Sequence, residues 1–182
     1  VNTAVILSNV VYKKDIRTQG SGNAGMTNMN RVYGKKAALF TFLGDFCKGI
    51  IAVFLGKLIL GLAGFDSSYG ACIAGALAVI GHNWPVYFGF KGGKGVLTSF
   101  SVLIVVVPIP TLIVFSLFIF LVAITKYVSL GSMVSAASLP VIVFFVGDYL
   151  LSVSGLSPVF CLCVFVAALI IIRHRANIKR LI

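Results

Sequence analysis

The chain is 182 residues long, 59% hydrophobic and 10% charged, with a mean hydropathy of +1.09. Soluble domains carry about 25% charged residues, so this composition excludes an ordinary water-soluble globule and makes lipid the solvent for much of the surface. The 15 Lys and Arg stand against 4 acidic residues, all of them Asp; they lie in short stretches between apolar runs, which argues for membrane topology or anionic substrates over nucleic acid.

Residues 1–12 are apolar but too short to span, and read as the tail of a first helix rather than a signal peptide. A polar, glycine-rich stretch covers 13–36. Residues 37–62 form a run long enough for a hydrocarbon layer of about 30 Å. After a turn at 64–68 comes a shorter run, 69–81, whose Gly and Ala suit close helix packing. A second polar segment, 82–98, precedes two runs, 102–107 and 111–124, which Pro108 and Pro110 should separate into two helices. Residues 126–132 are a third polar connection, 133–146 a helix, 147–158 a loop and 159–172 the last helix. The expected fold class is an all-α integral membrane protein. It would be a bundle of seven transmembrane helices, the first truncated and several short, forming a single domain over 1–182.

The connections test the orientation. If the odd-numbered segments end inside, the inner connections collect Lys13, Lys14, Arg17, Arg31, Lys35, Lys36, Lys91, Lys94, Lys126, Arg173, Arg175, Lys179 and Arg180. The outer turns hold Asp66 and Asp148 and no Lys or Arg. This alternation predicts a multi-pass membrane protein with its C-terminus in the cytoplasm. Cys47, Cys72, Cys161 and Cys163 all sit inside apolar runs without His or carboxylate partners at ligand spacing, so they read as packing residues. Neither a disulfide framework nor a metal site is expected.

Chemistry concentrates in the inner connections. The first reads Ser21-Gly22-Asn23-Ala24-Gly25-Met26-Thr27-Asn28, then Arg31, Gly34 and Lys35. Small residues admit a ligand close to the backbone, and Arg31 can grip a phosphate with two prongs. Composition alone favours a flexible basic loop, because Gly, Ser and Asn are ordinary loop residues. The second reads Gly81-His82-Asn83-Trp84-Pro85, then Phe90-Lys91-Gly92-Gly93-Lys94-Gly95, directly before a helix. Backbone amides and a helix N-terminus with two lysines suit a phosphate, although the P-loop spacing is absent. Trp84, Tyr87 and Phe88 read as interface anchors, and His82 as structural. Ser129 and Ser132 mark the third connection. At the C-terminus His174 and Asn177 are three apart and share a face if the helix continues. Asp45 and Lys48 share a face inside the 37–62 run, where a local ion pair is the simple reading. A lone carboxylate makes a poor Mg²⁺ site.

Taken in order, these motifs resemble the acyl-phosphate-dependent glycerol-3-phosphate acyltransferases of the PlsY type. The likeness runs through Asp15-Ile16-Arg17, Ser21-Gly22-Asn23, Thr27-Asn28, Arg31, Gly34-Lys35 and Asp45 with Lys48-Gly49. It continues through Gly81-His82, Pro85, Phe90 to Gly95, Tyr127 to Leu130 and Arg173-His174-Arg175 with Asn177-Ile178. The resemblance implies transfer of a fatty acyl group from acyl phosphate to the 1-hydroxyl of sn-glycerol 3-phosphate, giving lysophosphatidic acid and phosphate. It implies no cofactor, a monomer in the bilayer and an active site on the cytoplasmic side. His174, Asn177, Ser21 and Arg31 would be catalytic. Asn23, Thr27, Asn28, Lys91, Gly92, Gly93, Lys94, Gly95, Ser129, Ser132 and Arg175 would bind substrate. Two departures stand out: the family pattern begins with a complete first helix, whose start is cut here, and it runs past the final Arg-Leu to a Gly-x-Glu that this sequence lacks.

Acyl phosphate is already activated, and no Ser or Cys triad is visible, so direct attack by the glycerol hydroxyl is expected. Neither His82 nor His174 has an Asp at the His-x4-Asp spacing of soluble acyltransferases. Composition alone also admits a transporter or channel for phosphorylated anions, although the proline pair has no counterpart in the other half of the chain.

Overall fold

The computed structural model describes residues 1–151 and 157–181, and among these it is helical with irregular connections and no strand. Eight helices follow in order: α1 (Thr3–Val11), α2 (Met26–Leu62), α3 (Ser67–Asn83), α4 (Val96–Val106), α5 (Pro108–Thr125), α6 (Val128–Leu151), α7 (Pro158–Arg173) and α8 (Arg175–Leu181). Among the described residues, four stretches are long and apolar enough to cross a membrane: Met26–Leu62, Ser67–Phe88, Pro108–Thr125 and Val128–Val146. α4 and α7 are shorter apolar helices. In α5 only 17% of the most apolar window is buried, so its other apolar side chains face lipid rather than a protein core.

Several boundaries differ from the sequence expectation. The polar stretch at 13–36 does not stay irregular: α2 begins at Met26, eleven residues before the expected start. Its first turns bury Asn28 and Met29 and expose Thr27, Asn30 and Arg31, so a short amphipathic segment is joined to a lipid-facing one. The junction is Gly34, whose φ of 82° breaks the helical path; only glycine takes that backbone without strain. α4 likewise starts at Val96, inside the second polar segment. The proline pair makes one break, not a proline turn. Val107 is the hinge, and Pro108 and Pro110 lie in the first turn of α5, where a missing N–H costs nothing. α6 starts at Val128 and extends to Leu151, which shrinks the third connection to Lys126 and Tyr127. Of the expected loop at 147–158, residues 152–156 lie outside the described residues.

Packing relies on small residues, as helix association in lipid requires. α2 and α3 approach where Gly56 faces Gly70; a methyl group on either would collide with the other's carbonyl. Gly49 of α2 meets Ser101 and the Thr98 carbonyl of α4 in the same way. The main core gathers Val53, Val79, Val102, Leu139, Val143, Cys163 and Val166 from five helices. A second, smaller core lies at the basic end, where Ala4, Val5, Ile16, Ala24, Met29 and Ala37 pack α1 and the first connection onto α2. There Tyr12 stacks on Tyr33 with centroids 4.0 Å apart. This second core gives the first connection a fixed shape, which matters for the site beside it.

Candidate active site

The first connection is folded tightly around Asn28. Its amide nitrogen donates to the carbonyls of Ile16 (3.3 Å) and Gln19 (3.0 Å), and its oxygen accepts from the Ser21 amide at 2.9 Å. The residue is 1% exposed. Asn28 therefore shapes the loop, and its side chain is fully engaged in doing so. Ser21, Thr27 and Arg31 are exposed around it and Asn23 is half-buried.

The glycine-rich connection leaves α3 at Asn83, makes a 3-10 turn at Val86–Phe88 and enters α4 through Gly95, at φ 79°. The Gly92 amide donates to the Asn83 carbonyl and the Gly93 amide to the His82 carbonyl, both at 3.2 Å. Two arginines hold the loop's carbonyls. Arg17 donates to Phe88 (2.5 Å) and Lys91 (3.1 Å) from one side. Arg173 donates to Gly93 (2.9 and 3.2 Å) and Gly92 (3.4 Å) from the other. Arg17 is itself fixed by Asp15, at 2.6 Å. Hydrogen bonding to Arg17 is the chief reason the Asp15 carboxyl is held below the usual carboxylate range. Arg173 lies over the Trp84 ring, 5.3 Å from its centroid, a cation–π contact worth ~0.5–2 kcal/mol. With these acceptors covered, the start of α4 carries no side-chain cap, and its first-turn amides and dipole favour an anion.

The terminal segment closes the site. α7 ends at Arg173, His174 is 2% exposed, and α8 starts at Arg175. The His174 carbonyl accepts from the amides of Asn177 and Ile178. Lys94 Nζ donates to Asn177 Oδ1, which ties the glycine loop to α8. His174 Nδ1 lies 2.8 Å from the Ile170 carbonyl. A carbonyl only accepts, so Nδ1 carries the proton and Nε2 keeps its lone pair. Burial is the main force pushing the imidazole down to about 4; the hydrogen bond to Ile170 opposes it, and the cations of Lys94 and Arg173 add to it. At neutral pH His174 is therefore an uncharged ring with an unprotonated Nε2, the form a proton acceptor needs.

Of the expected site residues, Lys94, Gly92, Gly93, Gly95, His174 and Asn177 come together at this end. Ala24 of the first connection sits against Gly93, where a Cβ would come within 2.6 Å of the Ala24 carbonyl. Lys91 is exposed at the loop's start, and Arg175 is exposed on α8. Ser129 and Ser132 are not joined to this cluster by a hydrogen bond among the described residues; the Ser132 hydroxyl donates to the Val128 carbonyl at 2.8 Å. Sequence reasoning passed over Arg17 and Arg173 as site residues and read Trp84 as an interface anchor. The signal for Arg173 was present: Cys163, Val166, Ala167 and Ile170 are the buried face of α7, and Arg173 continues that stripe, three residues after Ile170.

Membrane-length helices, a clamped glycine loop at an uncapped helix start and a buried histidine define a multi-pass membrane protein with a helix N-terminus suited to an anionic group. The comparisons narrow that class. The family model described as glycerol-3-phosphate acyltransferase matches residues 1–182. A glycerol-3-phosphate acyltransferase of Clostridioides difficile (strain 630) is 44% identical over 182 residues, covering 100% of this chain and 85% of the relative. One from Thermoanaerobacter pseudethanolicus is 41% identical over 184 residues, with the same coverage of 100% and 85%. The crystal structure of the integral membrane glycerol 3-phosphate acyltransferase PlsY in its glycerol 3-phosphate form matches with a TM-score of 0.81 and 36% identity, over 98% of this chain and 86% of that one. The lysophosphatidic acid form matches with a TM-score of 0.81 and 34% identity, over 100% of this chain and 84% of that one. This chain belongs to the glycerol-3-phosphate acyltransferase family.

Proposed function

We propose that this protein transfers a fatty acyl group from acyl phosphate to the 1-hydroxyl of sn-glycerol 3-phosphate, releasing lysophosphatidic acid and inorganic phosphate. The reaction takes place at the cytoplasmic face of the bacterial inner membrane, with the C-terminus on that side, and the protein works as a monomer without a cofactor. One observation carries the reading: an uncapped helix start, with its loop carbonyls covered by Arg17 and Arg173, stands beside Lys94, Asn177 and a neutral His174.

Glycerol 3-phosphate sits with its phosphate at the start of α4, between the first-turn amides of that helix and the Lys94 side chain. The glycerol oxygen bonds to the acyl carbonyl carbon, and the bond from that carbon to the phosphate oxygen breaks, with phosphate taking the electron pair. The hydroxyl proton passes to His174 Nε2 or to an oxygen of the acyl phosphate. No acyl-enzyme forms. Lys91, Lys94, Arg31 and Arg175 offset the repulsion between two phosphates held side by side. Ser21 and Asn177 hydrogen-bond the phosphates or the developing oxyanion, and Asn23, Thr27, Ser129 and Ser132 line the approach. The acyl chain enters sideways from lipid.

The test is phosphate release by purified protein in lipid with palmitoyl phosphate, with and without sn-glycerol 3-phosphate, and with palmitoyl-CoA as an alternative donor. Release that needs both substrates, with lysophosphatidic acid formed and the CoA donor inert, is expected. Turnover with the CoA donor would overturn the donor assignment. Flux of glycerol phosphate into liposomes without any acyl transfer would favour a transporter.

A further inference from the structure

Behind the glycine loop lies a charged cluster that the mechanism above does not use. Asp45 of α2 is 1% exposed and His82 of α3 is 4% exposed. Lys48 Nζ lies 2.6 Å from Asp45 Oδ1 and 2.8 Å from His82 Nδ1, and His82 Nδ1 is 3.6 Å from Asp45 Oδ1. Asp45 also accepts from the Thr3 amide at 3.3 Å, and Lys48 donates to the Val1 carbonyl at 3.0 Å. Ionised groups inside a membrane bundle are costly, and a bundle that keeps them uses them. As a fold device the cluster would be a poor choice, because a buried ion pair is seldom more stabilising than packed apolar residues of the same volume.

The geometry gives the cluster a direction. An ammonium has only donors to offer, so Lys48 fixes His82 Nδ1 as an acceptor and leaves the ring proton on Nε2. The Nε2 edge is the one that meets the glycine loop: a Cβ built on Gly93 would overlap His82 Nε2 and crowd the Ala24 carbonyl. The Gly93 amide also donates to the His82 carbonyl at 3.2 Å. Gly93 is thus held by His82 through both backbone and ring, while Arg173 holds its carbonyl from the opposite side. The ring is the floor of the loop, and the Lys48–Asp45 pair sets the angle of that floor.

We infer that His82, oriented by Lys48 and Asp45, is a positioning residue for the glycerol-phosphate subsite, which it serves by fixing the Gly92–Gly93 backbone. This rests on the placement of glycerol phosphate proposed above. His82 touches no reacting atom, so its loss weakens glycerol-phosphate binding while the donor's binding and the chemical step stay near normal. A residue needed only for packing would lower the yield of folded protein without separating the two substrates.

The experiment compares wild type with His82→Asn, which keeps an acceptor near the Nδ1 position but withdraws the Nε2 edge, and with Lys48→Met. KM for glycerol 3-phosphate, KM for palmitoyl phosphate and kcat are measured on folded, monodisperse protein. Alongside them, the rise in melting temperature on adding glycerol 3-phosphate is recorded without donor. His82→Asn is expected to raise the glycerol-phosphate KM about tenfold, change kcat and the donor KM less than about threefold, and remove most of the glycerol-phosphate melting shift. Lys48→Met should move the same quantities in the same direction by less, and the double variant should be no worse than His82→Asn, since both act through one ring. Equal rises in both KM values, or an unchanged glycerol-phosphate KM in a folded variant, would overturn the inference. Should His82→Asn fail to fold, Lys48→Met decides by the same criteria. A wild type with no acyl transfer but a normal glycerol-phosphate melting shift would sink the proposed reaction and leave the positioning role to be judged from the melting shifts alone.

Discussion

Three glycines of one loop separate steric from conformational effects. At Gly93 an added Cβ overlaps the His82 ring and comes within 2.6 Å of the Ala24 carbonyl, two neighbours fixed by their own hydrogen bonds. The loop must shift, at the cost typical of overpacking, ~1–3 kcal/mol. At Gly95 the methyl meets Asn83 Oδ1 at 2.7 Å and the φ of 79° is left-handed, so ~1–2 kcal/mol of backbone strain adds to the clash. At Gly89 φ is 64° but nothing lies within 4 Å of the new methyl. There the strain is the whole cost; it falls on folding stability, where the smaller chain entropy of unfolded alanine offsets ~0.4–1 kcal/mol of it, and the packing on His82 is untouched. Each 1.4 kcal/mol is tenfold in kcat/KM. The expected losses are therefore about 5- to 150-fold for Gly93→Ala, as much or more for Gly95→Ala, and under about threefold for Gly89→Ala. The assay is initial-rate phosphate release with glycerol 3-phosphate varied at saturating palmitoyl phosphate, on variants matched for folded fraction. A Gly93→Ala enzyme with wild-type kcat/KM, or a Gly89→Ala enzyme as impaired as Gly93→Ala, would refute the claim that this loop works by close packing on His82.

Other perturbations have definite signs. Lys94→Met removes a cation that donates to Asn177 and should cost ~1.5–3 kcal/mol of transition-state binding, about 10- to 150-fold in kcat/KM; a loss under about threefold would remove Lys94 from the site. Arg17→Gln should lower kcat/KM about tenfold by uncovering the Phe88 and Lys91 carbonyls. Asp15→Asn should cost less than about fivefold, because the amide keeps one acceptor oxygen for Arg17 and the ion pair it discharges is partly exposed; the reverse order would show that the pair's charge outweighs the clamp. His174 is held neutral in the fold down to about 4 and titrates near 6.5 once unfolded. Between those values the unfolded chain binds the extra proton, so the His174 contribution is present above about pH 6.5 and is lost as pH falls toward 4. Melting temperatures in detergent should fall across that window, and His174→Gln should flatten the fall; an equally steep profile in the variant would assign it to other groups.

The long apolar runs were legible because lipid exposure leaves no polar face to confuse them. Residues 37–62 and 111–124 fall inside α2 and α5. What escaped is what depends on partners distant in sequence. The first turns of α2 look like loop because Asn28 and Met29 bury themselves against the first connection and α1, which no local pattern announces. Asn28 reads as a substrate ligand in sequence, being an exposed-type amide beside Ser21 and Thr27, but its amide is spent holding Ile16, Gln19 and Ser21. The Asp45–Lys48 pair was visible from its spacing of three. His82, the third member, comes from another helix and was not. His174 and Asn177 would share a helical face if the last helix continued, but no continuous helix carries them. α7 stops at Arg173, and Asn177 is placed by α8 instead.

The two arginines explain why a loop of plain backbone can favour an anion at all. Every peptide unit offers an acceptor along with its donor, and a bare glycine loop presents carbonyl oxygens that repel phosphate as strongly as its amides attract it. Here the Phe88 and Lys91 carbonyls are bound by Arg17, and those of Gly92 and Gly93 by Arg173. The Gly92 and Gly93 amides are spent on the Asn83 and His82 carbonyls, so the donors at this end are the N–H groups of the uncapped first turn of α4, with the Lys94 side chain beside them. Neither guanidinium has to touch the ligand to do this, and a guanidinium's rigid fork covers neighbouring carbonyls in a way that a single ammonium cannot. With phosphate placed there as proposed, anion selectivity would come as much from hiding acceptors as from supplying donors. That is why side chains at positions 17 and 173, one before α2 and one at the end of α7, govern a loop that lies between them in the chain.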